Sequence, residues 1–143
     1  MYYLIMDPLQ KSNKHSDYID KRIDDIRKKK DDWLTVIGPG STHKSIIKDF
    51  SHCIFTNLVH NTFTKSYMKK HPCSECGKPS TDRCHGVGEE RPILLKRALD
   101  RVWSDTTQPI VLKDIIIAFL EEHKYTDFTF KCNQCHKNEK RPI

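Results

Sequence analysis

The sequence predicts an α+β fold, mostly helical, held together by a bound metal ion. Three observations carry that prediction: several segments place apolar residues at helical spacing, two short stretches read as strands, and each strand adjoins a Cys-x-x-Cys pair. The chain has 143 residues, 36% of them hydrophobic and 31% charged. That length suits one domain, or one domain with a helical extension. So polar a chain buries only a modest core, and a structural metal is a standard supplement for such domains.

The first helical pattern covers 16–35. Ser16 or Asp17 can cap it, Ile19, Ile23 and Ile26 mark one face, and Trp33 and Leu34 continue the apolar positions. Lys28-Lys29-Lys30 lies on the solvated side. Gly38-Pro39-Gly40 is a firm break. Its neighbourhood lacks the G-x-x-x-x-G-K-[ST] spacing of a phosphate loop, so no such loop is expected. Ser41 and Thr42 then offer caps for a second helix running through Ile46, Ile47, Phe50, Cys53, Ile54 and Leu58, with Cys53 a packed thiol on its apolar face.

From Thr64 to Lys70 the chain turns basic, and a boundary is expected here, separating an N-terminal helical extension (1–70) from a zinc-bound domain (71–143). Ser80–His85 reads as a strand ending at Gly86-Val87-Gly88. Glu89, Glu90 and Pro92 start a third helix whose inward positions are Ile93, Leu94, Leu95, Ala98, Leu99 and Val102. A fourth runs from about Val111 to His123, with Leu112, Ile115, Ile116, Phe119 and Leu120 buried. Thr126–Lys131 alternates around Phe128 and Phe130 as a second strand.

Cys73-x-x-Cys76 and Cys132-x-x-Cys135 are the strongest chemical signal. Two residues between thiolates let one tight turn aim both sulfurs at a single tetrahedral ion, and Gly77 suits such a turn. Two turns supply four soft ligands, the preference of Zn²⁺. The 55 residues between the pairs exceed a compact zinc ribbon, so the ion closes a long loop containing helices. Cys84, His85 and His136 are further candidate ligands, of which Cys84 could replace one of the four. A CxxC pair usually serves as a unit, which favours the outer four. Four thiolates leave no open position, so the zinc is expected to be structural.

His85, at a strand end beside a glycine-rich turn, is placed like a general base, because its intrinsic pKa lies near neutrality. The order CxxC, Asp82-Arg83-Cys84-His85, helix, then Cys132-Asn133-Gln134-Cys135-His136 resembles the zinc-containing HNH, or His-Me finger, nucleases over roughly residues 72–140. The resemblance implies a ββα-metal core with a helical insertion, His85 as the general base, Arg83 on a phosphate, and His136 as holder of a catalytic Mg²⁺ or Mn²⁺. The four-cysteine zinc would bring His85 near His136. Asp82, Glu89 and Glu90 are candidate accessory carboxylates. Two features depart from the family's pattern. Cys84 stands where many members carry a second metal ligand, and 46 residues separate His85 from Cys132, more than in a minimal module.

The activity implied is metal-dependent hydrolysis of DNA phosphodiester bonds, with double-stranded DNA as partner and a homodimer suited to cutting both strands. The alternative is a non-catalytic zinc module that binds nucleic acid or protein. A net charge of +6 fits an anionic partner, although a solvated basic surface explains it equally. Lys69, Lys70, Arg83, Arg91, Lys137, Lys140 and Arg141 lie near the motif in sequence. No apolar run approaches the ~20 residues of a membrane span. The start does not read as a signal peptide, so an intracellular setting (cytoplasm or nucleus of a host cell) is expected. The Lys-, Ile- and Asp-rich composition hints at a viral or phage source.

Overall fold

The computed structural model describes residues 13–50, 54–86 and 89–138. In chain order these form α1 (Ser16–Lys28), β1 (Val36–Ile37), α2 (His43–Phe50), α3 (Ile54–Thr62), α4 (Lys65–Lys69), β2 (Asp82–His85), α5 (Arg91–Val102), β3 (Ile110–Val111), α6 (Leu112–Lys124), β4 (Phe128–Lys131) and α7 (Asn133–Lys137). About half of the described residues are helical, and the strands form two small antiparallel pairs, β1 with β3 and β2 with β4.

The centre is the α5–α6 pair. α6 carries Ile115, Ile116, Phe119 and Leu120 at helical spacing, all essentially without solvent exposure, against Leu94, Leu95, Ala98 and Leu99 of α5. Arg101 of α5 ties the two helices by donating to Glu122 at 2.8 Å and to the Ala118 carbonyl at 3.0 Å. α1 packs its Ile19–Ile23–Ile26 face on α6, and α2 packs on α5. One buried cluster therefore runs from Ile19 to Phe130, across residue 70. No helix among the described residues is long and apolar enough to cross a membrane.

The first helix stops at Lys28, seven residues before its expected end. The reason lies at the start of α6, whose first amide groups have no partner inside the helix. Leu112 donates to the Thr35 carbonyl at 2.7 Å and Lys113 to the Trp33 carbonyl at 2.9 Å. A positive φ of 57° at Trp33 turns the chain out of the helical path, so that the carbonyls of Trp33 and Thr35 face the start of α6. Leu34 is consequently about half exposed rather than buried.

Neither Ser16 nor Asp17 caps α1. His15 is the N-cap, and Asn13 accepts from its backbone amide at 2.8 Å. The same Asn13 side chain donates to the carbonyls of His123 and Thr126, closing the end of α6. The expected second helix is represented by α2 and α3 on either side of residues 51–53, and Cys53 lies outside the described residues. Thr42 does serve α2: its Oγ1 accepts from the Ser45 amide at 3.1 Å, while the Ser45 hydroxyl accepts from the Thr42 amide at 2.9 Å.

Candidate metal centre

The β2–β4 hairpin organises the chemistry. Its register pairs Asp82 with Lys131, Arg83 with Phe130, Cys84 with Thr129 and His85 with Phe128. Successive side chains on a strand point to opposite faces. Arg83, His85, Phe128 and Phe130 therefore share the face turned to the aromatic core, while Asp82, Cys84, Thr129 and Lys131 share the other. α7 follows β4 directly and packs against both strands.

The sulfurs of Cys73, Cys76, Cys132 and Cys135 all lie within 4.8 Å of one another, with Cys76 and Cys132 at 3.7 Å. A tetrahedral ion with Zn–S bonds of about 2.3 Å requires edges of about 3.8 Å, so the geometry fits zinc. Each turn is built for the task. Gly77 has φ 77°, its amide donates to the Cys73 carbonyl at 3.0 Å, and the Cys73 amide donates to the Lys78 carbonyl at 2.8 Å. Ser74 anchors this turn on β4 through the Phe130 carbonyl at 3.0 Å. In the second turn Cys132 is the N-cap of α7, and its sulfur accepts from the Cys135 amide at 3.4 Å.

The clustered thiols perturb one another in opposite directions. Burial pushes the Cys73 thiol up, but amide groups of Cys132, Cys76 and Glu75 outweigh it and bring it down to about 6. Hydrogen bonding with Cys132 and Cys76 drives Cys135 the other way, to about 12. Four clustered thiolates cannot coexist without a positive charge between them, and a dication supplies it. Cys84 is buried and stays outside the cluster.

His136, the residue after the last knuckle cysteine, places Nδ1 2.8 Å from Asp82 Oδ2. Burial alone would raise the Asp82 carboxyl. The His136 ring and the Thr81 hydroxyl outweigh that effect and hold it below the ordinary carboxylate range. A histidine whose Nδ1–H is donated to a carboxylate offers its Nε2 lone pair outward, as metal-binding histidines do.

His85 is on the other face, against Phe128 with ring centroids 5.0 Å apart. Its Nε2 lies 3.0 Å from Nε2 of His123. His123 is fully buried, which pulls it down to about 4, and so the ring is neutral. Its Nδ1 faces the Phe119 carbonyl at 2.9 Å, an acceptor only, so Nδ1 carries the proton and Nε2 the lone pair. His85 must donate from its own Nε2, which leaves the basic lone pair of the neutral ring on Nδ1.

The zinc therefore does not bring His85 beside His136. Asp82 and His85 are three residues apart on one strand, roughly 10 Å at about 3.3 Å per residue, and they point to opposite faces. Among the described residues the four cysteines are the one cluster of three or more metal-binding side chains. Glu89 proves structural: it accepts from the Asp127 amide at 2.9 Å and from Arg97 at 3.4 Å, clamping the segment after β2 to the start of β4. Gly86 makes that approach possible, since a Cβ there would stand 2.8 Å from Asp127 Cβ. Glu90 is the N-cap position of α5 without a side-chain cap bond. Val87, Gly88, Lys140 and Arg141 lie outside the described residues.

Sequence reasoning missed His123 as the partner of His85. The signal was present, because His123 sits four residues after Phe119 on the apolar stripe of α6. It also treated Asp82 as a spare carboxylate rather than the partner of His136. No protein-family model, curated protein or solved structure matches this chain.

Proposed function

We propose that this chain is a metal-dependent endonuclease that hydrolyses DNA phosphodiester bonds with His85 as general base. The observation that carries the reading is the His85–His123 pair. A strand-end imidazole is held in one tautomer by a buried neutral partner, the relation expected between a base and the group that orients it. His85 takes the proton of the attacking water on Nδ1, and Arg83, on the same hairpin face, holds a phosphate. His136, oriented by Asp82, is the residue for the Mg²⁺ or Mn²⁺ ion, which when bound supplies Lewis-acid stabilisation of the charge on the phosphate. What supports the reading in the fold is the order of the elements: knuckle, β2, a helical stretch, β4 and the knuckle helix α7.

One observation favours a second reading, a non-catalytic zinc module that binds nucleic acid. His85 and His136 occupy opposite hairpin faces, so an ion on His136 stands away from the base in this arrangement.

Supercoiled plasmid incubated with Mg²⁺ or Mn²⁺, with and without EDTA, separates the two. The nuclease reading expects nicking that EDTA blocks and His85→Ala abolishes, with zinc content unchanged. Retention of wild-type cleavage by His85→Ala would remove His85 as base. Absence of any cleavage by the zinc-loaded wild type leaves the binding module.

A further inference from the structure

A groove of about 820 Å³ lies between α4 and the first zinc knuckle, and none of His85, His123 and His136 is among its lining residues. Lys65 and Lys69 stand on one wall, four residues apart on α4 and therefore neighbours on one helix face. Arg83 of β2 lines the groove as well, the turn at Gly77 borders it, and the apolar side chains of Phe63 and Met68 lie against it. None of the lining residues is acidic.

Lys65 and Lys69 are set apart from Lys70 and Lys78 nearby, which also lack an ion-pair partner among the described residues, by lining the same groove. Lys96, Lys124 and Lys131 each face a carboxylate, in Asp100, Asp20 and Glu75. Lys65 and Lys69 are exposed and have no ion-pair partner among the described residues. Cations left in water along a groove that also offers apolar contact are complementary to a polyanion with apolar faces. Nucleic acid combines backbone phosphates with stackable bases, and cationic grooves with apolar platforms are how strands are tracked.

We propose that this groove is a binding track for a nucleic-acid strand, with Lys65, Lys69 and Arg83 on its phosphates. Arg83 and His85 share a hairpin face about 7 Å apart, so a strand on Arg83 continues toward the proposed base. That last link rests on the nuclease reading, whereas the binding itself does not.

The test is fluorescence anisotropy with a labelled 20-base-pair DNA and, separately, its single strand. The zinc-loaded protein is used with no Mg²⁺ or Mn²⁺ added, across a range of salt. The double variant Lys65→Gln/Lys69→Gln is compared with Lys28→Gln/Lys29→Gln, which removes equal charge elsewhere. The groove variant should bind severalfold more weakly than wild type at 0.1 M salt. Its dependence of log K on log salt should be shallower by about two, roughly one per lysine. The control variant should bind as wild type, and thermal melts of both should match wild type.

Unchanged binding by the groove variant, equal loss in both variants, or no binding by wild type overturns the proposal. So does displacement of wild-type DNA binding by an acidic peptide that the groove variant no longer takes up while still binding DNA. The plasmid assay keeps the two readings apart. Weakened binding in the groove variant without cleavage by wild type retains the track and removes the nuclease. Cleavage with undiminished groove-variant binding does the reverse.

Discussion

The two faces of the β2–β4 hairpin are held by different physics. On the core face, Phe128 and Phe130 are each 2% exposed and meet Phe63, His15 and His123 in a web of ring contacts. Apolar burial defines that face, against which lie His15 just before α1, Phe63 just after α3, Tyr67 of α4 and His123 of α6. On the other face little apolar area is available. Cys84 is buried, but Asp82, Thr129 and Lys131 remain partly exposed, and the five-residue α7 contributes no buried side chain. A helix that short does not stand alone in water. Besides the His136–Asp82 contact, a metal on the four cysteines would attach it. The comparison teaches that one four-residue strand serves two regimes, with alternate residues assigned to each.

Removing the metal should break the comparison most strongly. Chelation of zinc, or Cys132→Ser, should release β4's outer face and α7, while α1, α5 and α6 keep their packing. Structural zinc sites in finger peptides contribute about 10–16 kcal/mol at pH 7, an upper bound here because the core face persists. Amide hydrogen exchange on zinc-loaded and metal-free protein checks the asymmetry. Equal loss of protection in α6 and α7 would show that the two faces are not separable.

Acid should act on the core face. His15 and His123 are both pulled down to about 4, chiefly by burial, with His71 and Lys14 adding repulsion at His15. A lowered folded pKa means that the unfolded chain binds more protons below its own pKa of 6.5. The stability is therefore fully present above pH 6.5 and declines as pH falls from 6.5 toward 4. Each histidine contributes up to about 1.4 kcal/mol per pH unit in that window. Denaturant melts between pH 7 and pH 5, with zinc retention monitored, measure the slope. His123→Leu should make it shallower, and an unchanged slope would mean that His123 does not titrate with unfolding.

The smallest effect is expected on the outer face. Asp82→Asn keeps the shape but weakens the partner of His136, a half-exposed pair. Its cost to stability should stay at or below about 1 kcal/mol. The imidazole resonances of His136 should nevertheless shift in NMR spectra, because the Nδ1 partner changes. No shift would deny the contact.

Much of this molecule was legible in the chain. The apolar spacing of α6 and of Leu94, Leu95, Ala98 and Leu99 in α5 (Ile93 and Val102, expected inward, are exposed), the break at Gly38-Pro39-Gly40, both hairpin strands and the four-cysteine cluster are local properties. Periodicity, φ requirements and ligand spacing set them over a few residues. Helix ends were less legible. α1 stops at Lys28 because carbonyls at 33 and 35 are needed by α6, nearly eighty residues later.

The sites divide in the same way. Sequence alone determined that four thiolates would meet, because two turns with two-residue spacers present sulfurs wherever the chain closes. Only the tertiary structure decided which histidine faces which partner. Strand alternation sends Asp82 and His85 to opposite sides, α7 delivers His136 to one side, and α6 delivers His123 to the other. Ligand spacing is a property of a turn, whereas the partner of a side chain is decided by what packs across from it.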